Sequence, residues 1–295
     1  MNDNTARIPD FFNGSFEPFL IGKGLPNVVK ASPSSLFVIA GPCAIENCDH
    51  ALSMCDKIQR ICNKYGLKFV FKSCFDKDCR SSSDSFHGVG VEVGSSILNR
   101  VRHEFGVPVV SDFSVPTDAA LIAPYIDMIQ VPAYLCRQTS ILRAAAQSQL
   151  PVHLKKGQFM SPWNLKNSVN KLRSFGCKDI VLTDRGTFFG YNMLVNDFRS
   201  LKIMSDLDVA VGYDATHSIQ LPTSMGTLSG GQREFIPFLS RAAAASGINA
   251  IFIEVHDDPP RALSDPNTVL HIDDLDAVLN GVNTIHSSLS ILLQS

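Results

Sequence analysis

The stretch LFVIAGPC, residues 36–43, sets the pattern from which the fold can be predicted. Five apolar residues are followed at once by Gly41, Pro42 and Cys43. An apolar run without polar alternation is typical of a strand that is covered on both faces, as in a parallel sheet. Further runs of the same kind, each ending in polar residues, lie at 68–73, 108–111, 128–131, 152–155, 180–182, 209–212 and 250–254.

Helical patterns lie between many of these runs. Apolar residues recur three or four positions apart in 50–65, 94–105, 161–175, 232–246 and 273–293. Eight strands alternating with helices predict a (β/α)8 barrel, with an open doubly wound sheet as the alternative. Residues 1–35 are rich in glycine and proline, and we expect them to form a short hairpin or cap before a barrel domain of residues 36–295.

The composition excludes several classes of protein. Of 295 residues, 45% are hydrophobic, and 26 Lys+Arg against 28 Asp+Glu give a formal net charge of −2. This is too apolar for a disordered chain and lacks the basic surplus of a nucleic-acid binder. The first residues lack a signal-peptide core, and no apolar run approaches the roughly 18 residues of a membrane span. Eight scattered cysteines without a CxxC pair favour a cytoplasmic protein with reduced thiols and no membrane partner.

Basic residues gather where the predicted strands end. In a barrel these ends meet at one rim, so their cations would face a shared pocket. We therefore predict a pocket for small anions, with phosphates as the first candidates, although any one of these residues taken alone could be an ordinary solvated cation. The residues are Lys72, Lys77, Arg80, Arg137, Lys155, Lys156 and Arg185.

A second set of strand-end residues suits a metal ion. Cys43 follows the first strand, His217 follows the seventh, Glu254 ends the eighth, and Asp265 lies in the next loop. Strand eight neighbours strand one in a closed barrel, so these four fall on one arc. A thiolate, an imidazole and two carboxylates suit Zn²⁺, Fe²⁺ or Mn²⁺. The alternatives are a buried apolar role for Cys43 and a hydrogen-bonded role without metal for His217.

Three smaller features complete the set of site predictions. His256 and Asp257 follow the eighth strand and are predicted to support the metal ligands. Residues 221–231 end in Gly230 and Gly231 and predict a flexible loop over the pocket. No complete nucleotide-binding glycine motif is present, so nucleotide binding has little support.

The motifs of the chain resemble those of the 3-deoxy-D-manno-octulosonate-8-phosphate synthase family. The resemblance runs from about residue 37 to residue 265, in the same order along the chain. The segments are IAGPCAIE (39–46), FKSCFDKDCRSS (71–82), QVPAYLCRQT (130–139), KKGQFMSPWN (155–164), TDRGTFFGYNMLVNDFRSL (183–201), DATHSIQLP (214–222), GGQREF (230–235) and EVHDDPPRALSD (254–265).

The resemblance implies a (β/α)8 barrel, a homotetramer and a reaction. Phosphoenolpyruvate, D-arabinose 5-phosphate and water would give 3-deoxy-D-manno-octulosonate 8-phosphate and phosphate, a step in lipopolysaccharide sugar biosynthesis. The resemblance assigns phosphoenolpyruvate to Lys72, Lys77, Lys155 and Arg185 with the backbone near Ala133, and the sugar phosphate to Arg80 and Ser81.

The remaining roles that the resemblance implies concern the chemistry and the neighbouring subunit. Arg137 would reach into a neighbouring subunit's site, and Asp112, His217 and Gln220 would be polar active-site residues. Lys77, with Asp265 or His217, would move protons. Family members with Cys at position 43 of this sequence need a divalent metal, whereas those with Asn do not. Cys43, His217, Glu254 and Asp265 therefore imply the metal-dependent variant.

The motif after the second strand departs from the family pattern KASFDKANRSS. Cys79 stands where the pattern has Asn, and Cys74 where it has Ser, and both substitutions weaken hydrogen bonding. The closest alternative is a 3-deoxy-D-arabino-heptulosonate-7-phosphate synthase acting on erythrose 4-phosphate, whose motif resembles KPRTS. An alternative of another class is a barrel that binds phosphosugars without catalysis.

Overall fold

The computed structural model describes residues 15–78, 85–225 and 228–292. An antiparallel hairpin of β1 (Phe19–Ile21) and β2 (Val29–Ala31) precedes the barrel. Its alternate side chains are buried, and they join one apolar cluster with Phe37 and other residues inside the barrel. The predicted hairpin is therefore present and covers the end of the barrel where the strands begin. The domain division at residue 35 stays a prediction.

The barrel itself consists, within the described residues, of eight parallel strands. β14 pairs with both β3 and β11, which closes the ladder and excludes the open doubly wound sheet. The barrel strands are β3 (Phe37–Gly41), β4 (Lys68–Lys72), β5 (Val109–Asp112), β6 (Met128–Val131), β7 (Val152–Lys155), β8 (Ile180–Asp184), β11 (Ala210–Asp214) and β14 (Ala250–His256). The strands outside the barrel are, after β1 and β2, β9 (Thr187–Phe188), β10 (Leu194–Val195), β12 (Gln220–Met225), β13 (Leu228–Gly231) and β15 (Leu270–His271).

Helices pack around the barrel, each through an apolar stripe. On α1 the stripe includes Met54, Ile58 and Cys62. The helices are α1 (Cys48–Lys64), α2 (Val91–Phe105), α3 (Pro116–Ile122), α4 (Thr139–Gln147), α5 (Leu165–Ser174), α6 (Arg199–Ser205), α7 (Ile236–Ala245) and α8 (Ile272–Leu292). In the part of the chain that the structure describes, none of them is both long and apolar enough to cross a bilayer.

The strands on the side of the metal-capable residues continue further than the apolar runs. β8 ends at Asp184, β11 at Asp214 and β14 at His256, so residues predicted to lie in loops are paired in the sheet. Their backbone groups complete the ladder, while several of their side chains face the open end of the barrel. Burial by the surrounding structure here outweighs the low strand propensity of Asp.

The segment predicted as a flexible loop over the pocket forms a β-hairpin. β12 and β13 pair antiparallel, with residues 226–227 outside the described chain, so the described part of this segment is strand, and its flexibility stays a prediction. Gly231 packs so closely that a Cβ atom would lie 2.7 Å from the carbonyl oxygen of Asn267. The glycines therefore permit close backbone packing and did not indicate irregular structure.

Asn249 ties the cap segment to the barrel. Its Oδ1 accepts from the Val211 N–H at 2.9 Å, and its Nδ2 donates to the carbonyls of Ser32 (3.1 Å) and Pro33 (3.0 Å). We expect Asn249→Ala to lower the free energy of unfolding by about 2–3 kcal/mol, because buried backbone groups lose their partners. Denaturant unfolding measures this. Asn63→Ala, at an exposed position of α1, is the control, and equal midpoints for both variants would contradict the prediction.

Candidate active site

A cavity opens at the carboxyl ends of the barrel strands. Most of the residues predicted for the site line it, although they are far apart in sequence. These residues are Lys72, Lys77, Asp112, Ala133, Lys155, Arg185, His217, Gln220, Glu254 and Asp265. The cavity is therefore at the end of the barrel where the sequence placed the polar residues.

One wall of the cavity is cationic. The Lys155 ammonium is buried and donates to the Asp214 carboxylate. Burial lowers the pKa of Lys155 to about 8, and the charge of Asp214 offsets only part of that effect. Arg185 is also buried, and it donates to the Gln220 side chain at 2.7 Å. Buried cations with so few partners attract an anion strongly.

Two of the seven cations predicted for the anion pocket are directed elsewhere. Lys156 is fully buried, but its ammonium donates to the Gly186 carbonyl (3.1 Å) and the Thr187 hydroxyl (3.0 Å) and does not line the cavity. The prediction that Lys156 faces the anion pocket is therefore wrong. Lys155 faces the pocket, and successive side chains of an extended chain face opposite ways. Arg137 is exposed and lies in a separate surface groove. Arg80 and Ser81 lie outside the described residues.

The four predicted metal ligands converge at one side of the cavity. Ligand atoms of Cys43, Glu254 and Asp265 all lie within 4.8 Å of one another, and Cys43 Sγ is 3.1 Å from Asp265 Oδ2. His217 Nε2 is 3.5 Å from Glu254 Oε2 and 3.9 Å from Asp265 Oδ2. The closure of β14 onto β3 and β11 produces this convergence, as the strand order predicted.

The donor set fits a divalent cation. Glu254 Oε2 is buried and makes no hydrogen bond within the described residues. Burial opposes ionisation of Glu254, but the charges of His217 and Lys72 outweigh it and lower the pKa of the carboxyl. Burial, and then Glu254, raise the pKa of the Cys43 thiol well above its usual value, so a thiolate there needs a nearby cation. An ionised carboxylate oxygen that accepts no hydrogen bond in the described chain, beside this thiol and 3.5 Å from His217 Nε2, is the environment that a bound metal would complete.

Asp214 fixes the orientation of the histidine. His217 Nδ1 lies 2.7 Å from Asp214 Oδ2, which leaves Nε2 directed toward Glu254 and Asp265. A carboxylate on one imidazole nitrogen is the usual support for a histidine that binds metal through the other. The same Asp214 oxygen accepts from Lys155, so it joins the cationic wall to the metal-capable cluster.

The loop that carries Asp265 is held in an uncommon conformation. Asp265 has φ +51°, in the left-handed region that Asp tolerates better than most residues. Its carbonyl accepts from the N–H groups of Thr268 (3.0 Å) and Val269 (3.1 Å), while Arg233 donates to the Pro266 carbonyl at 2.6 Å. These contacts fix the backbone so that the Asp265 carboxylate faces Cys43.

The model of the DAHP synthetase I family matches residues 19–290. The chain belongs to that family. Its relatives include proteins named 2-dehydro-3-deoxyphosphooctonate aldolase. One from Synechococcus is 47% identical over 92% of this chain and 93% of that protein, and one from Rickettsia prowazekii is 45% identical over 86% and 93%. Another, from Protochlamydia amoebophila, is 46% identical over 83% and 89%.

This member of the DAHP synthetase I family has site residues that sequence reasoning left without a role. Gln130 lines the cavity, and its Oε1 is buried without a hydrogen bond in the described chain. A single polar residue inside the apolar run MIQV was a signal for it. Asp214 has no role in the sequence predictions beyond its place in the segment DATHSIQLP, because its link between Lys155 and His217 depends on the spatial arrangement of separate strands and loops.

His256, the last residue of β14, and Glu46 connect the eighth strand to the loop that leads to Asp265, while the support of metal ligands by His256 stays a prediction. Glu46 accepts from His256 Nε2 (3.1 Å) and from the Leu263 N–H (3.0 Å). The Asp258 N–H donates to His256 Nδ1 at 2.9 Å, so the ring proton is on Nε2 and directed at Glu46. Asp257 instead contacts His50 at 3.2 Å and Lys57 at 3.1 Å. Glu46 thus joins the first and last motifs of the chain.

Of the two departures from the family pattern after the second strand, Cys74 lies among the described residues. Cys74 is buried against the Asp76 carbonyl, and burial raises the pKa of its thiol above the usual value. Asp76 and Asp78 line the cavity beside it and make that wall acidic. Cys79 lies outside the described residues. The cavity therefore has a cationic wall and an acidic wall, which suits a ligand with both phosphate and hydroxyl groups.

Proposed function

We propose that this protein is a 3-deoxy-D-manno-octulosonate-8-phosphate synthase, the enzyme also called 2-dehydro-3-deoxyphosphooctonate aldolase. It condenses phosphoenolpyruvate with D-arabinose 5-phosphate and water, and it releases phosphate. The proposal rests chiefly on the relatives of that name, which match it over most of both chains. The 3-deoxy-D-arabino-heptulosonate-7-phosphate synthase alternative has support only from the family-level match.

The cationic wall is where phosphoenolpyruvate binds in this proposal. Its phosphate and carboxylate face Lys155, Arg185, Lys72 and Lys77, which all line the cavity. Fixed cations in a partly dry pocket need little rearrangement to stabilise these anions. The backbone at Ala133 lies on the same cavity and assists. Arg80 and Ser81 are proposed to hold the phosphate of the sugar.

The condensation forms one bond and breaks another. C3 of phosphoenolpyruvate attacks the aldehyde carbon of the sugar, water adds to C2, and phosphate leaves by C–O cleavage. Lys77 is proposed to donate a proton to the aldehyde oxygen, and Asp265 or His217 to accept one from water. Asp112, whose buried Oδ1 makes no hydrogen bond within the described chain, orients a hydroxyl group or water, and Gln220 positions Arg185.

The proposed cofactor is one divalent ion such as Zn²⁺, Fe²⁺ or Mn²⁺. Cys43, His217, Glu254 and Asp265 would hold it, with Asp214 fixing the imidazole. When bound, the ion would polarise or orient the aldehyde or a water. This assignment is supported by the donor types and by the buried Glu254 oxygen that accepts no hydrogen bond in the described chain.

The proposed assembly is a homotetramer. The hairpin of β9 and β10 exposes Phe188, Phe189 and Tyr191, the last with 96% of its surface in solvent. Aromatic side chains exposed together are typical of a protein–protein interface. Arg137, which is exposed and outside its own subunit's cavity, would then serve a neighbouring site. Light scattering after size exclusion tests the assembly.

A phosphate-release assay tests the activity. The purified protein is mixed with phosphoenolpyruvate and either D-arabinose 5-phosphate or erythrose 4-phosphate, with and without a chelator. Release with the pentose phosphate is the expected result, and release only with the tetrose phosphate would favour the alternative enzyme. No release with either sugar would contradict catalysis. A rate that survives exhaustive chelation, or Cys43→Asn, would contradict only the need for metal.

The activity should decline as the pH rises above about 8. Lys155 has its pKa lowered to about 8, so it is cationic below that pH and loses its charge above it. Because kcat/KM reports the free enzyme, we expect kcat/KM for phosphoenolpyruvate to fall about tenfold per pH unit on this limb. In Lys155→Arg the guanidinium stays charged, so the decline of kcat/KM above about pH 8 should disappear whatever the absolute rate. A profile of the unmodified protein that stays flat to pH 10 would contradict this prediction.

A further inference from the structure

Phe252 lies directly beneath the charged cluster. It is in the middle of β14, two residues before Glu254, so both side chains face the barrel interior. Phe252 is almost fully buried and belongs to the apolar cluster that includes Phe37 and Ile39. Its ring is therefore at the boundary between the apolar interior and the polar cavity.

Two ammonium groups approach the ring of Phe252. Lys155 Nζ is 3.3 Å from the ring centroid, and Lys72 Nζ is 5.7 Å from it. Both distances are within the roughly 6 Å over which the face of an aromatic ring attracts a cation. Lys155 comes from β7 and Lys72 from β4, which are not neighbours in the barrel, so this ring is a contact that the two lysines share.

The surroundings of the two lysines make this contact important. Each ammonium has three N–H donors and is buried. Lys155 donates to Asp214, whose same oxygen also faces His217, and Lys72 donates to Glu254 and to the Cys43 carbonyl. Away from bulk water, the negative face of the ring compensates part of the lost hydration. An aliphatic residue would fill the same volume without attracting either cation.

Two histidine rings also lie near that of Phe252. The ring of His153 lies 5.7 Å from that of Phe252, and burial, with Lys155 nearby, lowers the pKa of His153 well below its usual value. The ring of His217 lies 5.9 Å away on the cavity side and is paired with Asp214. Within the described chain, the ammonium groups of Lys155 and Lys72 lie over the ring of Phe252.

We propose that Phe252 is a positioning residue whose ring holds the ammonium groups of Lys155 and Lys72 at the floor of the cavity, where they meet phosphoenolpyruvate. The inference rests on the proposed function for the identity of that anion. It goes further by giving an apolar residue below the site a part in substrate affinity.

Fluorination of the ring separates its electrostatic role from its packing. Replacing Phe252 by 3,4,5-trifluorophenylalanine in the full-length chain keeps the ring but removes most of the negative charge from its face. We expect the dissociation constant of phosphoenolpyruvate, measured by titration calorimetry on the metal-loaded protein, to rise about tenfold. The same replacement at Phe37, which lies in the same apolar cluster, should change that constant less than about twofold.

Substitution by leucine gives a second measurement. Phe252→Leu should raise the KM for phosphoenolpyruvate more than it lowers kcat, whereas Phe37→Leu should lower stability and leave KM unchanged. An unchanged dissociation constant after fluorination at 252, or an equal rise after fluorination at 37, would overturn the positioning role. If the unmodified protein fails to bind phosphoenolpyruvate, the proposed function falls, and this inference falls with it.

Discussion

Lys155→Met is expected to lower kcat/KM for phosphoenolpyruvate by about 10³-fold. Lys155 is the cation held between Asp214 and the ring of Phe252, and methionine keeps its apolar stem while removing the ammonium. We expect kcat to fall and KM to rise, because the ammonium of Lys155 would contact phosphoenolpyruvate both in the ground state and as phosphate leaves. Steady-state kinetics with phosphoenolpyruvate varied at saturating sugar phosphate measures it.

Lys156→Met is the matched control, since Lys156 is adjacent and equally buried. Its ammonium donates to Gly186 and Thr187 and forms an ion pair with Asp184 at 3.4 Å, outside the cavity. We expect Lys156→Met to lower the free energy of unfolding by about 2–4 kcal/mol with KM for phosphoenolpyruvate unchanged. A similar rise in KM for both variants would contradict direct binding by Lys155, because it would mean that Lys155 acts only by stabilising the end of β7.

This pair of lysines illustrates what the sequence could predict. The alternation of apolar runs and helical patterns was enough for the barrel, because each run is almost continuously apolar, bounded by polar residues and repeated eight times. The runs also indicated at which end of the barrel the polar residues lie. They did not separate Lys155 from Lys156, since the direction of a side chain just past a strand depends on where that strand ends.

The metal-capable cluster was predictable for a topological reason. A closed barrel brings the last strands beside the first one, so Cys43 and Glu254 could be placed together without coordinates. The sequence did not predict α3 and α6, because about two helical turns are too short to show a repeating apolar pattern. It also did not predict α4, whose buried face includes the small residues Ala145 and Ala146 and so gives a weak apolar pattern.

The contribution of Phe252 could not be predicted from the sequence. An aromatic residue in an apolar strand is usually packing, and nothing nearby in sequence marks it as different. The pairing of Phe252 with Asp214 in register, and the approach of the Lys155 and Lys72 ammonium groups to the ring, exist only in three dimensions.

Glu254→Gln is expected to have the largest effect on stability. Glu254 and Lys72 form an ion pair at 2.7 Å with both side chains about 1% exposed. The amide keeps the shape but leaves the Lys72 ammonium buried without its counter-charge, which should lower the free energy of unfolding of the metal-free protein by about 3–5 kcal/mol. Denaturant unfolding in the presence of a chelator measures this, and bound metal, measured separately by elemental analysis, should be lost as well.

Two further variants separate charge pairing from metal binding. In Glu254→Gln with Lys72→Met both charges are gone, so most of the stability should return while metal binding stays absent. Asp265→Asn should weaken metal binding but cost less than about 1 kcal/mol of stability, because the Asp265 side chain is 19% exposed whereas that of Glu254 is about 1% exposed. If Glu254→Gln retained full metal content, Glu254 would be only the counter-ion of Lys72. If the double variant stayed as unstable as Glu254→Gln, the loss would come from packing around residue 254 and not from an unpaired buried charge.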